Sequence, residues 1–290
     1  MDRIDCFLNG RFLPPEQARI PVMDRGFLFG DGVYEVIPCY GGRLFRLAHH
    51  LRRLETSLHG IGMADPLGPE RWREVLEQLI GQRPGADQSV YLQVTRGAAP
   101  ARDHRIPRDV EPTVFAIASP LPAPDPRLAE HGIEAITRPD IRWGRCDIKA
   151  ITLLASVMLR EEATQAGAGE TLLIRDGFAT EGSASNLFAV RDATLLTPPT
   201  SRHLLPGITR DLVLELAAAG GLTYREAPIS EQQLRTADEV WITSSTREIV
   251  PVTRLDGVAV GDGVPGPVFG RMRQLYADYK RGLQQGRGSG

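Results

Sequence analysis

Pro120, Pro122, Pro124 and Pro126 punctuate the segment Ser119-Pro120-Leu121-Pro122-Ala123-Pro124-Asp125-Pro126 of a 290-residue chain. Each ring fixes φ and removes a backbone donor, so neither a helix nor a central strand continues through such a stretch. A chain of this length builds one large or two medium domains, and the proline run is its best boundary. The expected division is a small α/β domain at 1–119, a linker at 120–127, a larger domain at 128–284 and a disordered tail at 285–290.

The fold class expected is α/β, mixed in its strands and helices. Asn9-Gly10 between Phe7-Leu8 and Arg11-Phe12 signals a hairpin, and Gly41-Gly42 between Val33–Ile37 and Leu44-Phe45 a second. Leu47, Leu51, Leu54 and Leu58 recur at helical spacing, residues 70–80 repeat the pattern, and 90–95 and 113–118 read as strands. Beyond the linker, residues 148–166, 208–219 and 267–284 are predicted helices, and 172–174, 186–190 and 240–243 predicted strands.

A net charge of −2, with basic residues spread along the chain, gives no reason to expect nucleic acid or an acidic membrane surface as a partner. Cys6, Cys39 and Cys146 form neither a CxxC pair nor a metal-ligand spacing, so free thiols are expected and no metal. The opening MDRIDCFLNGRF lacks the apolar core of a signal peptide, and no apolar stretch is long enough to span a bilayer. The expected location is the cytoplasm.

Of the 34 basic residues only Lys149 and Lys280 are lysines. Arginine serves equally well at a solvated surface, but only an amine can lose its proton and become a nucleophile. Lys149 opens an apolar stretch (Ile151, Leu153, Leu154, Val157, Met158, Leu159) that reads as a helix. Burial there lowers an amine's pKa; by position alone a lysine snorkelling to the surface is the plainer reading, and the scarcity of lysine elsewhere brings the two level. Lys280 falls among polar neighbours on the terminal helix.

Other segments carry polar groups suited to a cofactor. Glu181 precedes Gly182-Ser183-Ala184-Ser185-Asn186, either a carboxylate for a ring nitrogen or a solvated turn. Pro206-Gly207-Ile208-Thr209-Arg210-Asp211 opens a helix whose free amides suit a phosphate or a simple cap. Thr243-Ser244-Ser245-Thr246 adds hydroxyls after a strand. Arg53, on a predicted helix, could pair with a phosphate, though a solvated helix face is the usual alternative; Tyr34, Arg102 and His104 could together hold a carboxylate, though a loop Arg and His are more often simply exposed.

In order and spacing these segments resemble the fold-type IV, or class IV, pyridoxal-phosphate aminotransferases, most closely the bacterial D-amino-acid branch. The likeness runs from about Phe7 to Val252. It rests on Asp24-Arg25-Gly26-Phe27-Leu28-Phe29-Gly30-Asp31-Gly32-Val33-Tyr34-Glu35-Val36, on Asp140–Lys149, on Thr180-Glu181-Gly182 with Ser185-Asn186, on Gly207-Ile208-Thr209-Arg210 and on Thr243-Ser244. The resemblance implies pyridoxal 5'-phosphate as cofactor, with Lys149 as its Schiff-base lysine and proton shuttle. It implies Glu181 on the pyridine nitrogen, Leu205 against the ring, and Arg53, Ile208, Thr209, Ser244 and Ser245 on the phosphate. Tyr34, Arg102 and His104 would receive the substrate carboxylate, the last two reaching across a homodimer into the partner's site. The substrates implied are D-amino acids of the D-alanine and D-glutamate type and 2-oxo acids.

Two positions depart from the family pattern. The loop Gly97–His104 is one residue longer than the common form, with Ala101 the extra residue, which puts the placement of Arg102 in question. Ala184 replaces a serine common in relatives. Branched-chain L-amino-acid transamination and aminodeoxychorismate lyase activity are the rival chemistries on the same resemblance.

Overall fold

Alternating burial builds the first sheet. In Gln88–Thr95, Val90, Leu92 and Val94 are fully buried while Ser89, Tyr91 and Gln93 are half-buried on the other face, the period of two that a pleated strand imposes. The computed structural model describes residues 5–286. It contains two units: Met1–Ala123 with Ile148–Thr152 and Gly282–Gly290, and Pro124–Asp147 with Leu153–Arg281.

The first unit contains β1 (Cys6–Leu8), β2 (Arg11–Leu13), α1 (Arg25–Phe29), β3 (Gly32–Tyr40), β4 (Arg43–Leu44), α2 (Leu47–Gly60), α3 (Gly68–Ile80), β5 (Gln88–Thr95) and β6 (Thr113–Pro120). Its six strands form an antiparallel sheet in the order β2-β1-β6-β5-β3-β4. Leu47, Leu51, Leu54 and Leu58 of α2 and Trp72, Val75, Leu76 and Leu79 of α3 join Val33, Ile37, Val90, Leu92 and Val94 in one core.

The second unit contains α4 (Pro126–His131), β7 (Ile133–Pro139), α5 (Leu154–Gln165), β8 (Glu170–Arg175), β9 (Phe178–Gly182), β10 (Asn186–Arg191), β11 (Thr194–Thr197), α6 (Ile208–Ala219), β12 (Tyr224–Glu226), β13 (Ile229–Ser230), α7 (Glu231–Arg235), β14 (Glu239–Ser244), β15 (Glu248–Leu255), β16 (Val258–Ala259) and, as far as Arg281, α8 (Pro267–Gln284). Its ten-stranded sheet runs β12-β11-β10-β14-β15-β7-β8-β9-β13, with β16 on β15. Pairs β11/β12, β15/β7 and β7/β8 are parallel and the others antiparallel. Val213 and Ala217 of α6 and Phe269 and Met272 of α8 cover Phe188, Val190 and Trp241. Among the described residues no helix is long and apolar enough to cross a membrane.

The units meet in sequence at Ala123 and Pro124, inside the proline run. Structure lies closer to the prolines than expected. Strand β6 ends on Pro120, and α4 begins at Pro126, where a missing N–H costs nothing and Asp125 caps the Arg127 amide. The tail expected at 285–290 falls outside the described residues from 287 onward.

One expectation is overturned. Residues 148–153 are not the start of a helix; α5 begins only at Leu154. The Tyr34 amide donates to the Lys149 carbonyl at 3.0 Å and the Ile151 amide to the Gly32 carbonyl at 3.1 Å, tying the segment alongside β3 with Val33 opposite Ala150. Ile148 and Ala150 are buried and Lys149 and Ile151 half-buried, so the period is two. Lys149 therefore belongs to the first unit, not to the one after the linker.

Candidate active site

In the first unit, the Lys149 Nζ lies 4.3 Å from the centroid of the Tyr34 ring, and the Lys149 amide donates to the Ser57 Oγ at 3.2 Å. Tyr34 stacks on Tyr91 at 5.7 Å. The next residue of β3, Glu35, points to the opposite face and is fully buried. There it meets two residues one turn apart on α2. Its Oε1 accepts from Arg53 Nε at 2.7 Å; its Oε2 accepts from Arg53 Nη2 and pairs with His50 Nδ1, each at 2.8 Å.

Burial alone would raise the Glu35 carboxyl, but the Arg53 charge and the bonds from Arg53 and His50 outweigh it and hold it far below the usual carboxylate range. Burial pushes His50 the other way, below its ordinary value, with Arg53 and Lys149 adding to the depression. Arg53, expected at a phosphate, thus commits two of its nitrogens to Glu35.

Arg102 and His104 are exposed on a loop of the same unit, and both gather on one ring: the Arg102 Cζ is 5.0 Å and the His104 ring 5.2 Å from the Phe29 centroid.

In the second unit, Glu181 lies near the end of β9 and is buried at 4% exposure. Its Oε1 accepts from Arg142 Nη1 at 2.5 Å, and its Oε2 from Asn186 Nδ2 at 3.0 Å and from the Leu205 amide at 3.1 Å. Arg142 is itself gripped by both oxygens of Asp140 at 2.9 Å, and Asp140 also meets Arg175 at 3.1 Å. Burial pushes the Glu181 carboxyl up to about 7, against the opposing pull of Arg142 and the Leu205 amide.

Asn186 gathers the remaining groups of this unit. Its Nδ2 also donates to the Leu205 carbonyl at 2.8 Å, and its backbone pairs with Thr243 of β14. A Cβ on Gly207 would lie 1.8 Å from the Asn186 Oδ1, so only glycine fits where α6 begins. Ile208 and Thr209 are buried in the first turn of α6, directly after this glycine. The Thr243 hydroxyl is buried and has no partner among the described residues. Ser244 and Ser245 are half-buried after it, and the Ser244 Oγ accepts from the Arg247 amide at 3.3 Å.

Lys280, the other lysine, is bound to Glu248 at 2.8 Å in an ordinary ion pair. Sequence reasoning gave no role to Arg142, Asn186, Glu35 or His50. The spacing Asp140-x-Arg142 and the step from Glu181 to Asn186 were the available signals for the first two. Glu35 lies inside the Asp24–Val36 motif but with no role of its own there, and His50 gave no signal, because a buried side chain cannot be told from a surface one by its neighbours in sequence.

The pattern described as amino-transferase class IV matches residues 32–255. A D-alanine aminotransferase of Bacillus licheniformis is 42% identical over 260 residues, covering 90% of this chain and 91% of that protein. One from Listeria monocytogenes serotype 1/2a (strain 10403S) is 39% identical, covering 93% of this chain and 94% of its own length. Among solved structures, a branched-chain amino acid aminotransferase from Escherichia coli superposes with a TM-score of 0.87 at 28% identity, over 99% of this chain and 96% of that one.

Proposed function

The chain belongs to the class IV aminotransferases, and from that premise we propose that it transfers amino groups between D-amino acids, of the D-alanine and D-glutamate type, and 2-oxo acids, with pyridoxal 5'-phosphate. The observation that carries the cofactor is the convergence on Asn186. A buried carboxylate, the first turn of a twelve-residue helix and a buried hydroxyl without a partner sit together there. A pyridine nitrogen suits the first and a phosphate the other two.

When bound, pyridoxal phosphate supplies an aldehyde that takes the amino group and a ring that draws electrons from the α-carbon. In our reading Lys149 holds the cofactor covalently and moves the proton at the α-carbon. Glu181, held by Arg142 and Asn186, would pair with the pyridine nitrogen. Leu205 packs on the ring. Ile208, Thr209, Ser244 and Ser245 would hold the phosphate, with the Thr243 hydroxyl added to them and Arg53 taking part from α2. Tyr34, Arg102 and His104 receive the substrate carboxylate.

We read the functional form as a homodimer in which Arg102 and His104 serve the partner's site. Exposed apolar side chains support a covered face: Leu154, Val157 and Met158 along α5 are 74%, 60% and 51% exposed. Three buried, unpaired cysteines support a reducing, cytoplasmic setting.

The test is a panel of D- and L-amino acids, each with 2-oxoglutarate or pyruvate. Turnover confined to D-amino acids is the expected result. Turnover of branched-chain L-amino acids, or pyruvate release from aminodeoxychorismate, would overturn the substrate assignment.

A further inference from the structure

The segment Asp24–Gly32 does more than lead into β3. Asp24 is fully buried, caps the Gly26 amide, and accepts from the hydroxyls of Thr95 at 2.8 Å and Thr113 at 2.6 Å, the residues that bracket the loop carrying Arg102 and His104. The near end of that loop is pinned by backbone: Arg25 N donates to Gly97 O at 2.9 Å and Ala99 N to Met23 O at 3.3 Å. Pro100, Ala101 and Arg102 are then exposed.

The next anchor is a side chain. Arg25 is 4% exposed, and its Nη1 donates to the carbonyl of Asp103, the residue between Arg102 and His104, at 2.6 Å. The same nitrogen reaches the Arg105 carbonyl at 3.4 Å. Its Nε is fixed on Asp31 at 2.7 Å, and Asp31 is held from behind by Arg96, which is bound to the Ile61 carbonyl. The Arg25 Cζ lies 4.9 Å from the Phe29 ring on which Arg102 and His104 also rest.

We propose that Arg25, braced by Asp31 and Phe29, is the positioning residue for Arg102 and His104, and so sets recognition of the substrate carboxylate without touching the substrate. The inference rests on the reading of Arg102 and His104 given above. The physical reason is reach. A guanidinium can hold a carboxylate with one nitrogen and a loop carbonyl with another, whereas an ammonium is a single point. Anchoring at Asp103 also fixes the loop beyond Ala101, so an extra residue there is taken up between two pinned ends instead of displacing Arg102.

Arg25→Lys, compared with Arg102→Ala and wild type as holoenzymes, tests this. With D-alanine and 2-oxoglutarate, Arg25→Lys should raise KM for D-alanine by roughly 10- to 100-fold, the scale expected for a binding group misplaced by about 1 Å. The cofactor absorbance and the thermal midpoint should stay near wild type, and turnover of an amine without a carboxylate should change less than about twofold. Unchanged KM for D-alanine in a folded, cofactor-loaded Arg25→Lys, while Arg102→Ala raises it, would overturn the positioning role alone. Unchanged KM in Arg102→Ala would instead overturn the carboxylate reading, and the proposal with it. If Arg25→Lys does not fold, Phe29→Leu carries the same expectation, because it removes the shared ring and leaves the Arg25–Asp31 pair. Normal KM for D-alanine in that variant would refute the brace.

Discussion

Replacing Glu35 with glutamine keeps the shape of a side chain at 0% exposure but removes its charge. Arg53, at 7% exposure, then keeps a buried positive charge with no counter-charge from Glu35, and the amide NH2 is set against donors on Arg53 and His50. Breaking one side of a buried pair costs about 3–5 kcal/mol. The unfolding of the first unit can be followed by Trp72, its single tryptophan and fully buried, in a background where Trp143 and Trp241 are phenylalanine. Urea unfolding of the cofactor-free protein by this probe should give the full loss near neutral pH. Glu35→Leu with Arg53→Met should recover most of it, since an apolar pair of similar volume carries no desolvation cost. The pH dependence has a definite sign. A carboxyl held below its ordinary value of 4.5 stabilises the fold above that value and loses the contribution as pH falls beneath it. The gap between wild type and Glu35→Gln should therefore be flat from about pH 6 to 8 and close only in acid. A loss below ~1 kcal/mol, or a gap that changes between about pH 6 and 8, would refute the assignment of the stabilisation to the ionised Glu35.

Borohydride treatment of the holoenzyme should fix the cofactor to the peptide containing Lys149, and Lys149→Ala should show neither the yellow colour nor the adduct; an adduct on Lys280 would move the role there. Glu181→Gln should lose turnover by roughly 10²-fold or more while retaining the fold, as for loss of a strong electrostatic partner, and normal turnover would reduce Glu181 to a turn residue. Because burial pushes the Glu181 carboxyl up to about 7, its contribution to the stability of the cofactor-free protein is present below 4.5 and lost as pH rises through about 7; Glu181→Gln should remove that component from a melting series across the range. Mixing Lys149→Ala with Arg102→Ala chains should restore partial activity if Arg102 serves the partner's site, and no recovery in proven heterodimers would return Arg102 to its own subunit.

The elements that could be read from sequence are those whose side-chain period is enforced by one neighbouring surface. The Asn9-Gly10 hairpin, α2 with its leucines, α6 after Gly207 and α8 all fall where local pattern and turn chemistry place them. The Lys149 segment could not be read in this way. Ile151, Leu153, Leu154, Val157 and Met158 match a helical period, yet the last three are more than half exposed, and Ile148 and Ala150 alternate inward against β3 instead. Apolar periodicity records only that a face is covered, not by what, so a face left exposed within one chain counterfeits a core-facing helix. The charged residues divide on the same principle. Lys149 and Glu181 stood out through scarcity and motif, whereas Glu35, Arg142 and Arg25 acquire meaning only from partners at Arg53, Glu181 and Asp103. Two of these pairings, Arg142 with Glu181 and Arg25 with Asp103, are separated by 39 and 78 residues. Each joins residues that local reasoning treats separately, and each has an arginine as its donor, Arg25 buried and Arg142 half-buried. In a chain whose cations are nearly all arginine, the ones worth mutating first are therefore those whose forks are already shared between a carboxylate and a second acceptor. Such a guanidinium carries a geometry that no single-point cation can restore.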